Sequence, residues 1–172
     1  MLFWHLGATS FLFRWIFRDP LVDLRWLWLG ALAPNLVDIP VAAALGFPDD
    51  AYRLWGHTML FPIVLMGAVL VLTRRGDRRT KLLALTVGVF FHLALDRMWV
   101  LPETLLWLFL GRAFSSMGVS GVADLLGTFG WWTLAGEVVG AAYLGLIWGW
   151  APPEDRAAFP RTGVLTLGAP TR

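Results

Sequence analysis

Apolar residues fall into five long runs separated by charged or turn-forming residues. Residues 2–17 form a short first run, and residues 25–46 form a second, interrupted by Pro34 and Pro40. Residues 55–73, 82–101 and 131–150 follow, the last with tryptophan at both ends. Runs of about 20 apolar residues with few charges predict helices that cross a bilayer. The pattern predicts an all-α integral membrane bundle of about five transmembrane helices, with terminal tryptophans as interface anchors. No internal repeat stands out.

Two segments break the pattern. Residues 102–130 begin with an apolar stretch and continue rich in Gly and Ser. They are expected as a half-helix, a continuation of the fourth span, or a re-entrant turn over the bundle mouth. Residues 151–172 combine Pro, Arg and Gly without a period and are expected as a disordered tail after a single transmembrane domain, residues 1–150. The first 17 residues lack a basic leader and an A-x-A cleavage site, so they read as a retained helix rather than a signal peptide.

Charge sets the expected orientation. The 74–81 loop, RRGDRRTK, is strongly basic, Arg14, Arg18 and Arg25 bracket the first connection, and Arg156, Arg161 and Arg172 lie in the tail. The positive-inside rule puts all three on the cytoplasmic face and the N-terminus outside. Without a eukaryotic sorting signal, a prokaryotic plasma membrane is the simplest location.

Composition narrows the chemistry. The 172 residues are 58% hydrophobic with 11 Trp, and mean hydropathy is +0.65. Net charge is only +2, and the basic residues mark helix ends, so the pI of about 9.7 is no sign of nucleic-acid binding. The absence of cysteine excludes disulfides, thiolate ligands and a Cys nucleophile. Any transition metal must bind through His and carboxylate.

The chain has three histidines, His5, His57 and His92. Counted from the cytoplasmic ends at about 1.5 Å per residue, His5 and Asp38 lie about 20 Å up, His57 about 26 Å, His92 about 17 Å and Asp96 about 23 Å. All five fall in one slab of a hydrocarbon core about 30 Å thick. His92 and Asp96 are four apart and share a helix face. Ionisable groups inside a membrane are usually functional, and three imidazoles with two carboxylates form a candidate metal site. The plain alternative for His92 and Asp96 is a buried hydrogen-bonded pair. Pro34 is expected to break the second helix and let Asp38 and Asn35 turn inward. Thr58 is expected to bond a ligand or cap a helix.

On these residues the chain resembles the membrane-bound metal-dependent hydrolase family, the YdjM-like proteins. The likeness covers residues 1–112. It rests on His5-Leu6-Gly7-Ala8, Gly30 through Asp38, Gly56-His57-Thr58-Met59-Leu60-Phe61, Phe91-His92-Leu93-Ala94-Leu95-Asp96 and Leu101-Pro102-Glu103-Thr104-Leu105-Leu106-Trp107. Family members often carry aspartate where this chain has Asn35, which leaves one anionic ligand fewer for a second metal. They also often place an arginine directly before the third motif, where here Arg53 stands three residues before Gly56. The resemblance implies a hydrolytic reaction without naming a substrate. A fainter likeness in residue order ties the chain to zinc-dependent phospholipases C.

The expected function is therefore hydrolysis of a phosphate ester of a lipid or other amphiphile. A divalent ion, Zn²⁺ first and Mn²⁺ second, would be held by His5, Asp38, His57, His92 and Asp96, with Asp38 or Asp96 as base. Such an ion lowers the pKa of water from about 15.7 towards 7. Asn35, Thr58, Arg97, Glu103 and Glu137 are the candidates for supporting the ligands or holding substrate. Arg53, Arg97 and Arg112 are candidate phosphate partners, although Arg53 and Arg112 read first as interfacial side chains snorkelling to water. Two rival classes are a small oligomeric transporter, suited by broken helices and intramembrane acids, and a non-catalytic scaffold whose polar residues pair helices.

Overall fold

Helices α1 (Leu2–Phe17), α2 (Leu24–Leu45), α3 (Leu60–Leu72), α4 (Asp77–Leu95), α5 (Pro102–Leu105), α6 (Gly130–Trp150) and α7 (Pro153–Thr162) carry the chain. Two 3-10 turns, Trp55–His57 and Met98–Val100, complete it. The computed structural model describes residues 1–46, 53–111, 114 and 130–167, and no strand occurs among them. The fold is all-α.

Local chemistry sets the helix ends. Asp23 caps α2 by accepting from the Arg25 amide at 3.1 Å, and Gly46 closes it at φ 66°. Asp77 occupies the first turn of α4, where its charge suits the helix dipole. That helix stops at Leu95, because Arg97 takes a left-handed conformation, φ 55°. It therefore begins earlier and ends earlier than the 82–101 run. Asp96 keeps the helical spacing all the same, since its amide donates to the His92 carbonyl at 2.9 Å.

Helix α2 packs most extensively on α4, and α1 on α6. The α2–α4 contact is backbone against backbone. A Cβ on Gly30 would lie 1.9 Å from the Leu85 carbonyl oxygen, and one on Gly88 would lie 2.3 Å from that of Leu27. Only glycine permits this approach. The apolar core of Phe13, Val22, Leu24, Leu27, Ala84, Ile147, Ala151 and Leu165 fills the end of the bundle where α1 and α6 finish and α2 and α4 begin. The histidines lie towards the other end.

Several expectations need correction. Helix α2 is unbroken across Pro34 and Pro40; its packing along α4 holds it together despite the missing donors. The residues expected as a disordered tail are ordered from 151 to 167. Pro153 opens α7, Glu154 and Asp155 stand in its first turn and Arg161 in its last, a set of helix signals without an apolar period. Leu165 is buried, the Leu24 amide donates to the Gly163 carbonyl at 2.8 Å, and Arg14 and Arg25 donate to the carbonyls of Leu165 and Pro160 at 2.6 Å. Residues 102–105 form one short turn of helix and do not continue α4, while most of residues 112–129 lie outside the described residues.

Among the described residues α2 alone, at 22 residues, is long and apolar enough to be a span on its own, and α3 is apolar but only 13 residues long. The bent pair α6 and α7, at 115°, qualifies only when taken together.

Glu137 does not face the histidines. It reaches from α6 to the start of α1, accepting from the Phe3 amide at 2.9 Å and the Trp4 amide at 3.4 Å. It serves α1 as a cap from outside the helix, where a negative charge meets orphan amides. Glu137→Gln is expected to lower stability by about 1 kcal/mol. Thermal unfolding in detergent checks this, and an unchanged midpoint would remove the capping role.

Candidate metal centre

Each histidine is buried, at 2% exposure or less, and each is tied down through Nδ1. His5 Nδ1 meets the carbonyl oxygen of Met1, the residue that precedes α1, at 2.5 Å. His92 Nδ1 meets the Ala31 carbonyl oxygen at 2.6 Å across the close α2–α4 contact. His57 Nδ1 meets Asp38 Oδ2 at 2.7 Å. Carbonyl and carboxylate oxygens only accept, so all three Nδ1 atoms donate. That leaves Nε2 as the atom each ring can offer a metal, and by the same rule His5 Nε2, 2.9 Å from Asp96 Oδ1, donates to that carboxylate until an ion takes the proton's place.

The three Nε2 atoms converge. Those of His57 and His92 stand 3.2 Å apart, and the rings of His5 and His92 stack with centroids 4.4 Å apart. Asp96 closes the group, with Oδ1 2.9 Å from His5 Nε2 and Oδ2 3.4 Å from His57 Nε2 and 3.6 Å from His92 Nε2. Ligand atoms of His5, His92 and Asp96 all lie within 4.8 Å of one another. Two ligands bound at 2.0–2.1 Å to one tetrahedral ion stand about 3.3 Å apart. The spacings of His57, His92 and Asp96 Oδ2 match this, with His5 on the Oδ1 side. The buried group of His5, His92 and Asp96 could hold a metal ion, and His57 adjoins it through His92 and Asp96.

Electrostatics supports the same reading. Three imidazole nitrogens crowd one carboxylate in a buried pocket, where polar atoms must be satisfied from within. A cation among them, proton or metal ion, does this. Nitrogen and carboxylate donors without sulfur suit Zn²⁺, and also Mn²⁺. Asp96, with its side chain 13% exposed, is the least buried of these groups.

Asp38 does not join the centre. Its carboxylate is fully buried behind His57 and accepts from the amides of Leu54 and Gly56, both at 2.7 Å, as well as from the imidazole. Three donors occupy it, so it positions a ligand instead of being one. It also ties residues 54–57 to α2. Asp38→Asn turns an acceptor into a donor against one of these N–H groups. The expected result is a 10- to 100-fold loss of metal affinity, measured by chelator competition. An affinity equal to wild type would end the positioning role.

The remaining candidates lie elsewhere. Asn35 is half-buried on α2 and takes no part in the hydrogen bonds of the centre. Thr58 neither caps α3 nor faces the centre, because its hydroxyl donates to the Trp55 carbonyl at 2.7 Å and closes the 3-10 turn. Arg97 is exposed in its left-handed conformation, and Glu103 is exposed in the first turn of α5. Arg112 lies outside the described residues. The sequence reading undervalued Arg53, whose Nη2 donates to Asp96 Oδ2 at 3.3 Å. Its place four residues before His57 was the available signal.

Comparison with family models, with curated proteins and with solved structures finds no match for the chain.

Proposed function

We propose that the chain is a membrane-embedded metal-dependent hydrolase acting on a phosphate ester of a lipid or other amphiphile. The carrying observation is the convergence of three imidazole Nε2 atoms on the Asp96 carboxylate, with every Nδ1 already committed as a donor. His5, His92 and Asp96 would hold the ion, joined by His57. A divalent ion in that position supplies Lewis acidity and lowers the pKa of a water it binds towards 7. The chain itself holds the three rings through Nδ1, keeps bulk water from the imidazoles, and offers Asp96 as the partly exposed carboxylate of the group. The sequence likeness to membrane-bound metal-dependent hydrolases agrees with this donor set.

The bilayer setting is supported by an inverted surface. Trp15, Val71, Leu72, Trp131, Trp132 and Trp150 are between 65% and 82% exposed, while His, Asp and Thr are buried inside. Apolar area on this scale marks contact with lipid or with another apolar partner.

Elemental analysis of the detergent-purified chain, after exposure to zinc or manganese, tests the centre. About one equivalent per chain is expected. Content well below that, under either metal, would leave protons as the shared cation and overturn the hydrolase reading.

A further inference from the structure

We infer that Arg53 is the anchor for the substrate's anionic group, and so selects a phosphate ester over a neutral ester. The inference rests on the reading of the histidine cluster as a metal centre. Arg53 and His57 belong to one short segment, residues 53–57, held to α2 by the two amides and the imidazole that bond Asp38. The guanidinium is thereby delivered to the same carboxylate that faces the imidazoles. Its Nη2 donates to Asp96 Oδ2 at 3.3 Å, a long contact for a charge-assisted bond.

One further donor of the fork is unspent among the described residues. Arg53 Nε is buried and has no hydrogen-bond partner, although the side chain as a whole is 24% exposed. A buried, unpaired donor on a cation is unfavourable by more than an ordinary hydrogen bond contributes, and an oxygen anion relieves it. Guanidinium presents paired N–H groups in a plane, which matches two oxygens of a phosphate. A phosphate ester lying between the ion and Arg53 meets a cation on each side, with Asp96 linking the two. A neutral ester would satisfy neither the fork nor its charge.

The test uses the full chain in detergent, loaded with zinc, with inorganic phosphate as the probe. Metal content is measured by elemental analysis and phosphate affinity by titration calorimetry for wild type, Arg53→Met and Arg53→Lys. Arg53→Met is expected to keep the wild-type metal content and to bind phosphate roughly 10- to 100-fold more weakly, the loss of one charge-assisted contact. Arg53→Lys is expected to recover part of that, since it restores charge without the planar fork. Wild-type phosphate affinity in a metal-loaded Arg53→Met protein would overturn the inference and leave the metal centre standing. So would metal-loaded wild type that binds no phosphate. Loss of metal in both variants would assign Arg53 to bracing Asp96 and equally overturn it. A wild type without metal would remove the hydrolase reading, and this inference with it.

Discussion

Replacing His92 with alanine is expected to cut bound metal from about one equivalent per chain to background, while the helices persist. His92 is the member of the cluster with the most relations inside it: its Nε2 faces His57 and Asp96, its ring stacks on His5, and its Nδ1 holds the Ala31 carbonyl. Removing groups that merely support a ligand weakens metal sites by 10- to 100-fold, and removing a ligand should exceed that. The variant also leaves a cavity and removes the second hydrogen bond of the Ala31 carbonyl, a penalty of about 1–3 kcal/mol. Asp96→Asn is therefore the necessary companion, because it keeps shape at a partly exposed position and removes only the charge. Circular dichroism reports the helices and elemental analysis the metal. Full metal content in both variants would place any bound ion elsewhere.

The second large effect falls on the fold. Gly30→Val is expected to prevent stable folding, and Gly30→Ala to lower the thermal midpoint sharply. The new Cβ would lie 1.9 Å from the Leu85 carbonyl oxygen, with the Leu85 carbon and Cα behind it at 2.7 and 2.9 Å. Those are backbone atoms and cannot rotate aside, so α2 and α4 must separate. Overpacking usually costs about 1–3 kcal/mol, and a main-chain clash belongs at or above the upper end. Separation also draws the Ala31 carbonyl away from His92, so metal content should fall together with stability. Gly67, which has open space around it, is the control: Gly67→Ala should leave both unchanged. Equal midpoints for Gly30→Ala and wild type would show the helices free to part.

Counting residues along apolar runs was enough to put His5, His57, His92 and Asp96 at one level, because depth depends only on helical rise. The direction in which a side chain leaves its helix depends on which neighbour the helix packs against, and no count reports that. Asp38 shares the level but bonds the segment before α3, and Glu137 bonds the start of α1. The helix ends of α1 and α2 follow their apolar runs closely. Helix α7 was missed because its signals are a proline, paired acids and a terminal arginine, with only Phe159 and two alanines for an apolar side. The prolines of α2 were weighed by their cost to an isolated helix, which packing against α4 outweighs.

Two of the three imidazoles take their orientation from peptide carbonyls, and one takes it from a side chain. A saturation mutagenesis scan would therefore be nearly blind to the carbonyl that orients His5, and at position 31 it would report the packing of the buried Ala31 side chain rather than the oxygen that orients His92. At position 38 the side chain itself is the outer partner of a histidine, and the site should tolerate glutamate at best. Sensitivity to substitution and importance to the centre thus part company in this molecule.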